Sequence, residues 1–138
     1  MKHDNLIYII NKKYPDAVHG RDFWTAHRID KITGEQKGEA FILEWNIDSP
    51  EPSQEEIAQL WDMYGEEAII FEKTSLGRAE RDNLLTELDK FISNPLRYSS
   101  LTKTQKDKVS EYRQLLLDVP QQEGFPLVIE WPVKPEFI

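Results

Sequence analysis

The chain has 138 residues, of which 39% are hydrophobic and 11% aromatic, so it can order one modest domain or two very small ones and is too apolar to be a disordered tail. Its net charge of −8, with no basic stretch, excludes a phosphate-binding nucleic-acid surface, and the absence of cysteine excludes disulfides, thiolate nucleophiles and cysteine-based zinc sites. The acidity is uneven: residues 1–70 carry 7 basic and 14 acidic side chains, residues 71–138 carry 10 and 11.

Residues 3–14 place Leu6, Ile7, Ile10 and Tyr14 on one helical face, and Pro15 ends that helix. Residues 22–30 and 39–46 are rich in Phe, Trp, Ile and Thr and flank a polar, glycine-containing connection, the pattern of a β-hairpin with a loose tip. Pro50 and Pro52 then break the chain. Ser53 with Glu56 has the spacing of a capping box, and Ile57, Leu60, Trp61 and Tyr64 give the following helix a strongly apolar face that the hairpin is placed to cover. Gly65 interrupts this pattern and Gly77 offers a second break before a stripe of Leu84, Leu85, Leu88, Phe91 and Ile92.

Asn94-Pro95 ends that helix, and Thr102 with Gln105 caps another, which carries Val109, Tyr112, Leu115, Leu116 and Val119 on one side. Two amphipathic helices joined by a short link predict an αα-hairpin. Residues 120–124 read as a turn and residues 127–131 as a short strand closed by Pro132 and Pro135. The expected fold class is therefore α+β: a helix–β-hairpin–helix unit over residues 1–75, then a helical hairpin with a short terminal strand over residues 76–138.

No catalytic or cofactor motif emerges. His3, His19 and His27 have no close-spaced partner and read as solvated or turn residues rather than metal ligands. The paired carboxylates Glu55-Glu56 and Glu66-Glu67 lie at helix starts, where acidic side chains complement the helix dipole. No nucleophile elbow, P-loop or dinucleotide fingerprint occurs. The apolar run near the N-terminus, residues 6–10, is shorter than a signal core of about 7–15 residues or a membrane span of about 20. The expectation is a non-enzymatic cytoplasmic protein, without cofactor or metal, that works by binding another protein and contacts neither membrane nor nucleic acid. Trp24, Trp45 and Trp61 suit a core, whereas Trp131, beside Pro132 near a polar terminus, suits a surface.

Two sets of motifs resemble phage tail proteins. Lys13-Tyr14-Pro15-Asp16-Ala17-Val18, Asp22-Phe23, Glu44-Trp45-Asn46 and Pro50-Glu51-Pro52-Ser53-Gln54-Glu55-Glu56, in this order over about residues 12–61, resemble the XkdW-like family of prophage tail-region proteins. Arg81-Asp82-Asn83-Leu84-Leu85, Tyr112-Arg113-Gln114-Leu115-Leu116, the run from Asp118 through Gly124-Phe125-Pro126, and Trp131-Pro132 are similar to the C-terminal module of phage tail fibre assembly chaperones. That family follows its Arg-Asp-x-Leu-Leu with an acidic-Trp pair where this chain has Asp89-Lys90-Phe91. The resemblance implies a protein of the host cell cytoplasm that binds the receptor-binding end of a trimeric tail fibre, assists its folding or trimerisation and stays on the virion. A non-chaperone structural component of the tail or baseplate is the alternative. For the partner contact, Phe125 and Trp131 are candidate anchors, Leu127 and Ile129 belong to the strand that would pair with a fibre edge, and Arg113 is a candidate directional charge.

Overall fold

A computed structural model describes all 138 residues, which form two compact units, Met1–Glu72 and Lys73–Ile138. The elements are α1 (His3–Lys13), β1 (Phe23–Ile29), β2 (Gln36–Trp45), α2 (Gln54–Ile92), α3 (Pro95–Ser99) and α4 (Lys103–Asp118), with a 3-10 turn at Val119–Gln121. The mixed α+β class is the one expected.

In the first unit β1 and β2 pair antiparallel, from Phe23↔Trp45 to Ile29↔Gln36, with two register shifts. The tip is shaped by Asp30, whose Oδ1 accepts the backbone N–H of Ile32 (2.8 Å) and of Thr33 (3.1 Å), while Gly34 takes a φ of 74° that a side chain would resist. Phe23, fully buried, packs with Leu6, Ile9 and Ile10 of α1 and with Ile57, Leu60 and Ala68 of α2. The Trp45 ring meets Tyr14 edge-on at 5.1 Å and donates its indole N–H to the carbonyl of Ser49. Ser53 and Glu56 form the expected box: Ser53 Oγ accepts the Glu56 N–H at 3.1 Å and Glu56 Oε2 the Ser53 N–H at 2.9 Å.

The structure corrects the reading of Gly65 and Gly77 as breaks. Both lie inside the unbroken 39-residue α2. An interior glycine costs a helix about 1 kcal/mol relative to alanine, and here each one makes room for a ring. A Cβ on Gly65 would stand 2.9 Å from Trp61 Cδ2, and one on Gly77 would stand 3.0 Å from Phe125 Cε2.

The second unit is built on Leu88 of α2 and Val109, Tyr112 and Leu116 of α4, with Leu84, Leu85, Ile92, Leu101, Phe137 and Ile138 packed around them. The link between the helices holds α3, capped by Asn94 Oδ1, which accepts the N–H of Leu96 and of Arg97. Thr102 and Gln105 cap α4 reciprocally, as their spacing predicts. Residues 127–131 do not form the expected strand. Their apolar, β-branched composition favours extended backbone, but no neighbouring strand is present, so the Gln122 side chain supplies the pairing instead: its amide donates to the Glu130 carbonyl (2.8 Å) and accepts the Glu130 N–H (2.9 Å).

Candidate partner-binding surface

The segment after α4 turns at Gly124, whose carbonyl accepts the N–H of Val128 at 2.7 Å. A Cβ on Gly124 would lie 2.7 Å from the Val128 carbonyl oxygen, so the turn closes only over glycine. From this turn onward the side chains divide. Phe125 and Ile129, both half-buried, enter the notch that Gly77 leaves on α2. Leu127, Val128 and Val133 point away and are 59%, 66% and 91% exposed, and Trp131 is 38% exposed.

Of the residues expected to bind a partner, Phe125 and Ile129 thus sit together against the protein's own helix, while Leu127 and Trp131 are on the surface. Arg113 stands apart from them: its exposed guanidinium lies 3.8 Å from Asp89 of α2, an ion pair inside the second unit. Sequence reasoning passed over Val128, Val133 and the Gln122 clip. Val128 lies between Leu127 and Ile129 and Val133 follows Trp131, both with the same apolar signal, but nothing local marks Gln122 as the strand's substitute. Beside α4, Tyr112, Leu115, Val133 and Phe137 line a groove of about 510 Å³ together with two lysines, Lys108 and Lys134, and two glutamates, Glu111 and Glu136. Burial, with a smaller contribution from the charge of Glu87, raises the Tyr112 phenol above its ordinary value.

The first unit has a second concavity, about 420 Å³, where α1 ends. Tyr14, Asp16, Asp22, Asn46, Ile47 and Asp48 line it. Asp22 is held ionised by the Arg21 guanidinium and by the N–H of Val18, which together lower its carboxyl below the usual range. The charge of the chain belongs to this unit: residues 1–72 carry 7 basic and 15 acidic side chains, residues 73–138 carry 10 of each. No group of three or more His, Asp or Glu side chains is arranged to hold a metal ion. No helix is long and apolar enough to cross a membrane.

Comparison with known families divides the chain near the same place. Residues 6–69 match the family described as XkdW protein, and residues 74–136 match the family described as phage tail assembly chaperone protein. No curated protein and no solved structure gives a match. The second match spans α4 and the whole exposed apolar segment up to Glu136.

Proposed function

We propose that this chain, which joins an XkdW-like region to a phage tail assembly chaperone module and so serves phage tail assembly, is a chaperone of the tail fibre. It binds the distal, receptor-binding end of the trimeric fibre, assists folding and trimerisation in the host cytoplasm and remains on the virion. The observation that carries this reading is the C-terminal segment: Phe125, Ile129 and Gln122 fix it from behind, while Leu127, Val128, Trp131 and Val133 are held out to solvent. Leaving such side chains exposed forgoes about 25 cal/mol per Å² of burial, a cost that a partner surface recovers.

A fibre chain awaiting its two partners exposes apolar surface and strand edges that invite aggregation. A protein that covers them and favours the assembled form needs no nucleotide, because preferential binding alone shifts the equilibrium. The sequence has no phosphate-binding loop, in keeping with a role that needs no nucleotide.

Co-expression tests the proposal. Made together with this chain, the tail fibre protein of the same phage should give soluble trimers, and without it aggregates. Equal yields of soluble trimer in both cases would refute the chaperone role and leave a structural component of the tail, the role the XkdW-like half also suits.

A further inference from the structure

His3 and His19, far apart in sequence, meet at one residue of β1, Thr25, with His27 against the His3 ring. The His3 ring stands edge-on to His27 at 5.0 Å and to His19 at 5.5 Å. Nε2 of His3 and Nε2 of His19 both reach the hydroxyl of buried Thr25, at 2.9 Å and 3.1 Å. The backbone of Thr25 is engaged by the same two rings. Its N–H donates to His19 Nε2 at 3.1 Å, and its carbonyl lies 3.2 Å from His3 Nε2.

This arrangement seals a strand edge. The Asp22 carbonyl accepts the Asn46 N–H across the hairpin, so by the alternation of an antiparallel pair Phe23 and Thr25 turn their backbone groups outward. Gly20 N–H bonds the outward carbonyl of Phe23 at 2.9 Å. His19 and His3 take the outward groups of Thr25, where a third strand would otherwise pair.

The partners assign the protons. A backbone N–H only donates, so His19 Nε2 is the bare nitrogen, its single lone pair shared between the Thr25 N–H and the Thr25 hydroxyl as donors. A carbonyl only accepts, so His3 Nε2 carries hydrogen. His3 Nδ1 faces Asp4 Oδ1 at 3.1 Å. His27 Nδ1 is buried with no partner. The charged groups around the cluster are Asp4 of α1, whose carboxylate faces His3 Nδ1, the N-terminal amine paired with Glu39 of β2, Lys2 paired with Glu72 of α2, and Arg21 of the preceding loop paired with Asp22. From β2, the side chain facing His3 is the neutral Gln36, which accepts the His3 N–H.

We propose that this cluster is a proton-sensitive latch on the outer edge of β1. A second proton on His19 falls on Nε2 and sets two N–H groups against each other. The Thr25 N–H loses its acceptor, the segment carrying His19 and the first turn of α1 release from the strand, and the edge becomes available for pairing. The latch belongs to the first unit and does not depend on what the second unit binds.

Nuclear magnetic resonance on the full chain tests this. At neutral pH, long-range nitrogen–proton correlation should show His19 protonated at Nδ1 and bare at Nε2. As the pH is lowered, the hydrogen-exchange protection factor of the Thr25 amide should fall about tenfold, the equivalent of one net hydrogen bond, in step with the appearance of a proton on His19 Nε2. In His19→Gln, whose amide oxygen accepts the same N–H without titrating, protection should stay level. A proton on Nε2 at neutral pH, protection that ignores the titration of His19, or an unchanged response in His19→Gln would each overturn the latch. If His19→Gln does not fold, the two measurements on the native chain decide by themselves.

Discussion

Gly77 lies directly under Phe125 and Ile129: a methyl group on its Cα would stand 2.9 Å from Ile129 Cδ1 and 3.0 Å from Phe125 Cε2. The glycine is thus the seat of the C-terminal segment rather than a hinge in the helix. Gly77→Ala should be nearly neutral, because about 1 kcal/mol of helix propensity offsets the displacement of two flexible side-chain ends. Gly77→Leu fills the notch and should evict the segment, raising amide exchange and protease sensitivity over residues 125–131 while the α2–α4 core stays protected. Unchanged protection there would show that the segment is held by something other than this seat.

The first unit should depend most on Phe23. Its side chain is fully buried between α1 and α2, whereas Trp61 is only half-buried and lies over Gly65. Phe23→Ala should cost about 3–5 kcal/mol, the range for large-to-small core changes, and Trp61→Ala distinctly less. Denaturant unfolding followed by probes in residues 1–72 measures both. The reverse order would place the centre of the core at the helix face instead of the hairpin.

At the hairpin tip, the N–H groups of Thr33 and Ile32 hold the Asp30 carboxyl below its ordinary value. A carboxyl lowered in the folded state contributes stability above its unfolded value, about 3.9, and loses it as the pH falls through the lowered folded value. The amide resonances of Ile32 and Thr33 should therefore move together at a pH below that of an unperturbed aspartate. Asp30→Asn keeps an acceptor oxygen without the charge, so the tip should persist and this acid transition vanish. A transition at or above the ordinary aspartate range would mean that the two N–H bonds do not form in solution.

What could be read from the sequence was mainly local. The boxes at Ser53/Glu56 and Thr102/Gln105 need only a three-residue spacing and occur as expected. Gly65 and Gly77 look like helix breaks until the rings above them are known, and residues 127–131 look like a strand because composition cannot say whether a neighbour exists. The same limit hid the histidine cluster, which spans residues 3 to 27 and forms only when α1 meets β1. For the candidate surface, the apolar character of residues 125–131 was plain, but the division into inward Phe125 and Ile129 and outward Leu127 and Val128 is decided by a glycine some fifty residues earlier.

That division separates anchoring from recognition within one short segment. Leu127 and Val128 touch solvent over most of their surface, so Leu127→Ala with Val128→Ala removes little that holds the fold, and stability should stay within about 0.5 kcal/mol of the native chain. If these side chains meet the fibre, the same double variant should lose co-purification with it, since a partner's affinity concentrates in a few buried apolar contacts. Trp131→Ala, at the less exposed end of the row, should weaken capture with a small loss of stability. Phe125→Ala should act in the opposite order, first loosening residues 125–131 from Gly77 and only through that reducing capture. Arg113, already beside Asp89, should be replaceable by Lys with little effect on either measurement. Pull-down of the fibre paired with thermal melting of each variant distinguishes these outcomes. Full capture by the Leu127/Val128 variant would move the search for the binding surface to the acidic first unit and the concavity lined by Tyr14, Asp16 and Asp48.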